Sequence, residues 1–198
     1  MAPVSTTAPA RERLLAAADR LFYEEGVNTV GIDRVIEEAG VAKATLYSVF
    51  RSKEGLIVAY LRGRLERRQE RTMRALAKTD VPRERILVVF DVLHSFINEP
   101  GFNGCAFMNA NAEAQPGSAV KAAAREARAW TRSLFTDLGR DAGVDDPREF
   151  ARRLVLLYDG ALVSSSMDRD LKAALTAKAT AAALLDAATP RRRTRRQS

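Results

Sequence analysis

The chain has 198 residues, of which 46% are hydrophobic and 29% charged, a balance typical of a globular protein. One cysteine and one histidine exclude an internal disulfide framework and leave too few ligands for a metal site built from His and Cys. The net charge is +7, but five arginines lie within the last ten positions, and without them it falls to +2. The total charge is therefore a poor indicator of nucleic-acid binding, and the positions of the charges matter more.

The sequence carries no signal for export or for membrane insertion. No segment approaches the run of about eighteen uncharged apolar residues that a membrane-spanning helix requires. Residues 1–10, MAPVSTTAPA, lack the basic start and apolar core of a secretory signal, and their content of Pro, Ala, Ser and Thr predicts disorder. We expect a cytoplasmic protein with no membrane partner, no metal and no cofactor.

The first three predicted elements are helices. Apolar residues recur at spacings of three and four over residues 11–25, which predicts an amphipathic helix that Gly26 ends. A short second helix is predicted over residues 33–38, before Gly40, and a third over residues 43–50. In the third helix the residues expected to face the core are Leu46, Val49 and Phe50.

Ser52 is the predicted N-cap of a long fourth helix that runs to about Lys78. A capping box would place Glu three residues later, but Gly55 holds that position, so we expect a weak cap. The arginines of this helix are spaced with glutamates in a pattern typical of a solvated face.

The rest of the chain repeats the helical spacing and shows no alternating strand pattern. Pro82 suits the first position of a fifth helix. The sequence therefore predicts an all-α protein of about nine helices. The later helices are predicted at residues 82–97, 105–114, 118–140, about 147–165 and 170–187.

Residues 39–56, AGVAKATLYSVFRSKEGL, combine hydrogen-bond donors with apolar residues on one short segment. Two short helices joined by a turn at residues 39–41 fit a helix-turn-helix unit, whose second helix enters the major groove by its N-terminal end. There Lys43 and Tyr47 can bind phosphates, and Thr45 can contact a base edge or a phosphate. A DNA-reading unit explains both the donors and the apolar residues of this segment.

The longer segment GVNTVGIDRVIEEAGVAKATLYSVFRSKEGL resembles the N-terminal domain of the TetR family of transcriptional regulators, because AGV, K, TLY, F and SKE occur in register. The resemblance covers residues 11 to about 60. It implies a three-helix helix-turn-helix DNA-binding domain at residues 11–57, with the motif at about 31–50. It also implies a C-terminal helical ligand-binding and dimerisation domain at residues 58–188. Residues 189–198 form a basic tail that is predicted to be disordered.

The resemblance assigns DNA contacts position by position. The family usually carries hydroxyl residues at the positions of Gly31 and Ala42, and here Thr29, Arg34 and Arg51 are expected to compensate. The predicted DNA contacts are therefore Thr29, Arg34, Lys43, Ala44, Thr45, Tyr47, Ser48, Arg51 and Lys53.

The resemblance also implies a small-molecule pocket among the C-terminal helices. For each candidate residue, packing in the core is the alternative. Cys105 is in addition a candidate thiol sensor at a helix start, with an inert buried thiol as the alternative. The pocket candidates are His94, Phe96, Phe102, Cys105, Phe107, Met108, Asn109, Trp130 and Tyr158.

The last two predicted helices carry broad apolar faces. The resemblance assigns these faces to a two-fold dimer, and packing within one chain is the alternative. The dimer candidates are Leu154, Leu157, Tyr158, Ala161, Leu162, Leu171, Leu175, Ala179, Ala182 and Leu185.

Together these features favour a ligand-responsive homodimeric repressor. It would bind a palindromic double-stranded DNA operator and leave it when a small-molecule effector binds. One alternative is a helical small-molecule-binding dimer without DNA binding. The other is an enzyme, for which the sequence offers no nucleophile with a base, no carboxylate pair and no phosphate-cradling glycine loop. We therefore expect no enzymatic activity.

Overall fold

The computed structural model describes residues 8–189, which form nine α-helices and no strand. This confirms the predicted all-α fold. The segment 1–7 and the tail 190–198, both predicted to be disordered, lie outside the described residues. The helices are α1 Ala10–Glu25, α2 Ile32–Ala39, α3 Lys43–Phe50, α4 Lys53–Leu76, α5 Pro82–Ile97, α6 Ala106–Glu113, α7 Ala119–Asp141, α8 Pro147–Met167 and α9 Ala173–Ala188.

Contacts divide the chain into two compact units. The first runs up to Gln69 and includes Asn103–Arg128, so it contains α1 to α3, most of α4, α6 and the start of α7. The second contains Glu70–Phe102 and residues 129–189. The functional boundary at residues 57 and 58 stays a prediction.

In the first unit, α1 packs against both α2 and α3. The buried side of α1 is the predicted apolar stripe, which includes Leu14, Leu21 and Phe22. Gly40 ends α2 in the left-handed region, at φ 59°, and the Arg13 guanidinium donates to its carbonyl at 3.2 Å. The turn between the two short helices is thus fixed by its own backbone and by α1.

The start of α4 confirms Ser52 as its N-cap. The Gly55 N–H donates to the Ser52 hydroxyl at 3.0 Å. A Cβ atom on Gly55 would lie 2.1 Å from the carbonyl oxygen of Phe50, which is far inside van der Waals contact. The Glu of a capping box is therefore sterically excluded at this position.

The arginines of α4 do not form a uniformly solvated face. Arg64 donates from Nε to Asp19 Oδ1 at 2.9 Å and from Nη2 to Oδ2 at 3.0 Å, and its side chain is only 16% exposed. Its guanidinium carbon also lies 3.7 Å from the ring centroid of Tyr23. The interpretation as a solvated face is wrong at this position, because Arg64 binds α4 to α1.

In the second unit, α9 packs against α5 and α8. The aromatic centre of this unit consists of Phe90 of α5, Phe135 of α7 and Tyr158 of α8. The ring centroid of Phe90 lies 5.6 Å from that of Phe135 and 6.4 Å from that of Tyr158. Lys178 of α9 donates to both carboxylate oxygens of Asp91 at 2.6 and 2.7 Å. No helix within residues 8–189 combines the length and the apolar character needed to cross a membrane.

Candidate nucleic-acid interface

Helix α3 has a buried edge and an exposed edge. Leu46 and Phe50, four residues apart, are buried in the first unit. Lys43, Ala44 and Ser48 are exposed, Thr45 is half-buried, and Tyr47 is 44% exposed. The predicted groove-facing residues therefore lie on the side of α3 that does not pack.

Val49 is a correction to the sequence analysis. Its side chain is 37% exposed, whereas Leu46 and Phe50 are buried. The buried stripe of an eight-residue helix that packs on one side spans little more than the i and i+4 positions, and Val49 falls on its flank. The prediction that Val49 faces the core is wrong.

The N-terminus of α3 has no side-chain cap. Ala42 occupies the N-cap position with an extended backbone, at φ −73° and ψ 149°, and has no side-chain oxygen to accept from the first N–H groups of the helix. Such N–H groups carry a partial positive charge and suit a phosphate.

Two of the predicted DNA-contacting cations are held by carboxylates. Lys43 Nζ donates to Asp33 Oδ1 at 2.8 Å, and this hydrogen bond raises the pKa of Lys43. Arg34 forms a bidentate ion pair with Glu25, in which Nη1 donates to Oε2 and Nη2 donates to Oε1 at 2.8 Å. Sequence reasoning missed both pairs, because the partners are nine and ten residues apart and lie on different helices.

The remaining predicted contacts lie around the start of α4 and the loop before α2. Lys53 is half-buried, and its Nζ donates to the carbonyl of Asn28 at 3.4 Å. Burial lowers the pKa of Lys53, and the nearby Glu113 acts in the opposite direction. Thr29 is exposed, and the exposed Arg51 has a positive φ of 65° at the end of α3.

The C-terminal end of α6 is bound to the loop between α1 and α2. The Asn28 N–H donates to Glu113 Oε2 at 2.7 Å, and Asn28 Nδ2 donates to the Glu113 carbonyl at 2.9 Å. Gly26 has a φ of 92°, and a Cβ atom there would lie 2.9 Å from Glu113 Oε1. Only glycine allows both the backbone conformation and this close approach.

The segment that leads into α6 is bound to the end of α1. The Tyr23 hydroxyl donates to the Gly104 carbonyl and accepts from the Asn103 N–H, both at 2.9 Å, and burial raises the pKa of Tyr23. The Ala119 N–H at the start of α7 donates to Glu54 Oε1 of α4 at 2.8 Å. These contacts join residues 65 to 85 positions apart and leave no periodic signal in the sequence.

The candidates for a ligand pocket divide between the two units. In the first unit, Cys105 and Phe107 are buried, Met108 is half-buried, and the exposed Asn109 donates to the Asn103 carbonyl at 3.0 Å. The Arg68 guanidinium carbon lies 4.6 Å from the Phe107 ring centroid, and Arg68 Nη2 lies 3.8 Å from Cys105 Sγ. A sensor role for Cys105 stays a prediction.

In the second unit, Phe96 and Phe102 meet edge to face with centroids 5.3 Å apart. The half-buried His94 lies beside Asn98, with Nδ1 3.2 Å from the amide nitrogen. Tyr158 belongs to the aromatic centre, and Trp130 is half-buried. Among residues 8–189, no three His, Cys, Asp or Glu side chains are grouped so that they could hold a metal ion.

The dimer candidates separate into buried and exposed residues. Leu171, Leu175 and Ala179 are exposed, while Leu157 and Ala182 are half-buried. Further large apolar side chains, which sequence reasoning missed, are exposed on α8, with Leu156 68% and Met167 78% exposed. The other dimer candidates are buried within the protomer, and their assignment to a partner stays a prediction: Leu154, Tyr158, Ala161, Leu162 and Leu185.

Three comparisons relate the chain to known proteins. The family model described as "Bacterial regulatory proteins, tetR family" matches residues 14–60. The crystal structure of SCO4454, a TetR-family transcriptional regulator from Streptomyces coelicolor, is 34% identical, with 91% of this chain and 96% of that chain covered and a TM-score of 0.86.

Two curated relatives align over shorter spans. The HTH-type transcriptional activator FasR of Mycolicibacterium smegmatis is 30% identical over 70% of this chain and 63% of its own length. The HTH-type transcriptional repressor NemR of Escherichia coli is 30% identical over 52% of this chain and 53% of its own. The chain thus spans less than two thirds of either relative.

The match to SCO4454 extends over nearly the whole of both chains, and the family model coincides with the helices that present the exposed edge of α3. We conclude that the chain belongs to the TetR family, whose members are helix-turn-helix, DNA-binding transcriptional regulators and not enzymes.

Proposed function

We propose that the protein is a ligand-responsive homodimeric repressor that acts in the cytoplasm and binds a palindromic operator. The observation that carries the proposal is the two-sided character of α3, in which Leu46 and Phe50 are buried while Lys43 and Tyr47 are exposed. A helix held in this way can enter the major groove without disturbing its own packing.

In this proposal the contacts to DNA have separate roles. Lys43, Tyr47 and Lys53 bind backbone phosphates and so position α3, while Thr45, with its neighbours on the exposed edge, faces the bases. Arg51 is exposed at the end of α3 and adds a further phosphate contact.

Dimerisation would use the exposed apolar side chains of α8 and α9. Large apolar side chains are exposed on α8 at Leu156, Val163 and Met167, and after it at Leu171 and Leu175, and a second copy would cover them. Two copies related by a two-fold axis present two α3 helices, which fits half-sites separated by roughly 34 Å of DNA.

Ligand response requires a link between the C-terminal helices and the DNA-binding helices. Helix α6 supports this part of the proposal, because Tyr23 binds the segment before it and Asn28 binds its last residue, Glu113. Asn28 also accepts from Lys53 at the start of α4. A ligand that shifts α6 would therefore move the loop and the helix that carry predicted phosphate contacts.

Activation of transcription is a second candidate. It is favoured by the alignment with the activator FasR, which covers more of this chain than the alignment with the repressor NemR. Both candidates need the same DNA contacts and differ in what the bound protein does to transcription.

The test of DNA binding is a fluorescence anisotropy titration on the DNA upstream of the protein's own gene, at several salt concentrations. We expect binding to a palindromic segment that weakens steeply with salt, and a marked loss of affinity for Lys43→Ala and Tyr47→Phe. Met73→Ala, on the exposed surface of the second unit, is the matched control. If the wild type and both variants bind equally poorly at low salt, the proposed repressor function fails.

A reporter gene placed behind the bound segment then separates the two candidates. Repression predicts that expression rises when the regulator is deleted, whereas activation predicts that it falls. Purified small molecules that release the DNA in the anisotropy assay would identify the effector class.

A further inference from the structure

We propose that Asp33 competes with DNA for Lys43, so that this carboxylate sets the DNA affinity of α3. Asp33 is not one of the contacts predicted from the sequence, and its charge is opposite to that of the predicted cationic contact Lys43. The inference rests on the proposed DNA-binding function.

The two residues lie at the starts of the two helices of the motif. Asp33 is the second residue of α2, and Lys43 is the first residue of α3. Lys43 Nζ and Asp33 Oδ1 are 2.8 Å apart, and the side chains are 55% and 81% exposed, respectively. An ion pair this exposed contributes little to stability and exchanges readily.

A phosphate and a carboxylate are alternative acceptors for the same ammonium group. When Lys43 turns to a phosphate, it gives up the hydrogen bond to Asp33, and the carboxylate is left beside the negative DNA backbone. When Lys43 stays with Asp33, the phosphate contact is not made. The carboxylate therefore lowers affinity in both cases, and this penalty keeps the protein from binding DNA through charge alone.

A purely structural role for the pair predicts the opposite result. If the contact between Lys43 and Asp33 held α2 and α3 at the interhelical angle needed for DNA binding, its loss would displace α3 and weaken DNA binding. The sign of the change in DNA affinity therefore distinguishes competition for Lys43 from a structural role of the ion pair.

The experiment is a salt-dependent anisotropy titration of the full chain with Asp33→Asn. The matched control is Glu37→Gln, which removes one negative charge from the exposed surface of the same helix, at its other end. Competition predicts that Asp33→Asn tightens binding by about three- to tenfold, and that Glu37→Gln changes it by less than about twofold. In a Lys43→Ala background, the gain from Asp33→Asn should become smaller, because only the repulsion between the carboxylate and DNA is then removed.

Three results would overturn the inference while leaving the proposed function intact: weaker binding by Asp33→Asn, a gain no larger than that of Glu37→Gln, or a full gain in the Lys43→Ala background. If the wild type shows no salt-dependent binding at all, the proposed function fails as well. Thermal unfolding of each variant checks that the differences do not come from loss of folded protein.

Discussion

A side chain on Gly55 would collide with the carbonyl oxygen of Phe50, because a Cβ atom built on Gly55 lies 2.1 Å from it. The last residue of α3 and the first turn of α4 are thus in direct backbone contact. This contact fixes the direction in which α4 leaves the DNA-binding helices, and it explains why glycine stands where a capping box would have Glu.

We expect Gly55→Ala to lower the free energy of unfolding by about 1–3 kcal/mol, because the backbone must shift to admit the methyl group. Urea denaturation measures the effect. The shift also displaces α3 from α4, so DNA affinity should fall with stability.

The control for this variant lies in the same helix. A Cβ atom on Gly63 would meet only Arg67 Nη1, at an ordinary 3.6 Å. Gly63→Ala should therefore stabilise the protein, by up to about 1 kcal/mol, through helix propensity. Equal stability of Gly55→Ala and wild type would contradict the close contact.

Two Tyr→Phe substitutions should have opposite consequences. Tyr23→Phe removes the hydroxyl that donates to Gly104 and accepts from Asn103, so we expect a loss of about 1–3 kcal/mol of stability. Tyr47→Phe removes an exposed hydroxyl, so stability should stay within about 0.5 kcal/mol while DNA affinity falls. Chemical denaturation and DNA titration of both variants measure the two effects.

Tyr23→Phe also tests whether α6 communicates with the DNA-binding helices. If the hydrogen bonds of Tyr23 to Asn103 and Gly104 transmit the effect of a bound ligand to the DNA-binding helices, a compound that releases the wild type from DNA should release Tyr23→Phe less completely. Unchanged release would show that the response does not pass through this end of α6.

Alkaline pH should destabilise the protein through Tyr60. Burial raises the pKa of Tyr60 above its ordinary value of 10, so the unfolded chain loses this proton at a lower pH than the folded protein. The stabilisation is fully present below pH 10 and is lost as pH rises toward the folded-state pKa. We expect the free energy of unfolding to fall as pH rises above 10, and to fall less steeply in Tyr60→Phe. Parallel slopes for the two proteins would contradict this assignment.

The proposed dimer surface can be tested by substituting one exposed methionine within it, with an exposed methionine outside it as the control. Met167→Glu places a charge on the exposed apolar surface of α8, so we expect monomers by light scattering and a loss of DNA affinity of about tenfold or more. Met73→Glu introduces the same charge at an exposed position of α4 and should leave the dimer intact. A Met167→Glu protein that remains dimeric would place the interface elsewhere.

Local features of the sequence were sufficient to predict the helices and to recognise the family. The spacing of apolar residues, Gly40 after α2, Ser52 before α4 and Pro82 at the start of α5 act over a few residues, and each has the predicted role in the structure. The register of AGV, K, TLY, F and SKE is likewise a local property, so the motif could be recognised without the fold.

Tertiary structure decided which neighbour each side chain has. An apolar stripe on α8 indicates burial but does not say against what, so Leu154, which packs within the protomer, could not be distinguished from residues on a partner-facing surface. The pairing of Asp33 with Lys43 and that of Asn28 with Glu113 depend on how separate helices meet. Such contacts follow no period along the chain, and packing of the whole unit brings them together.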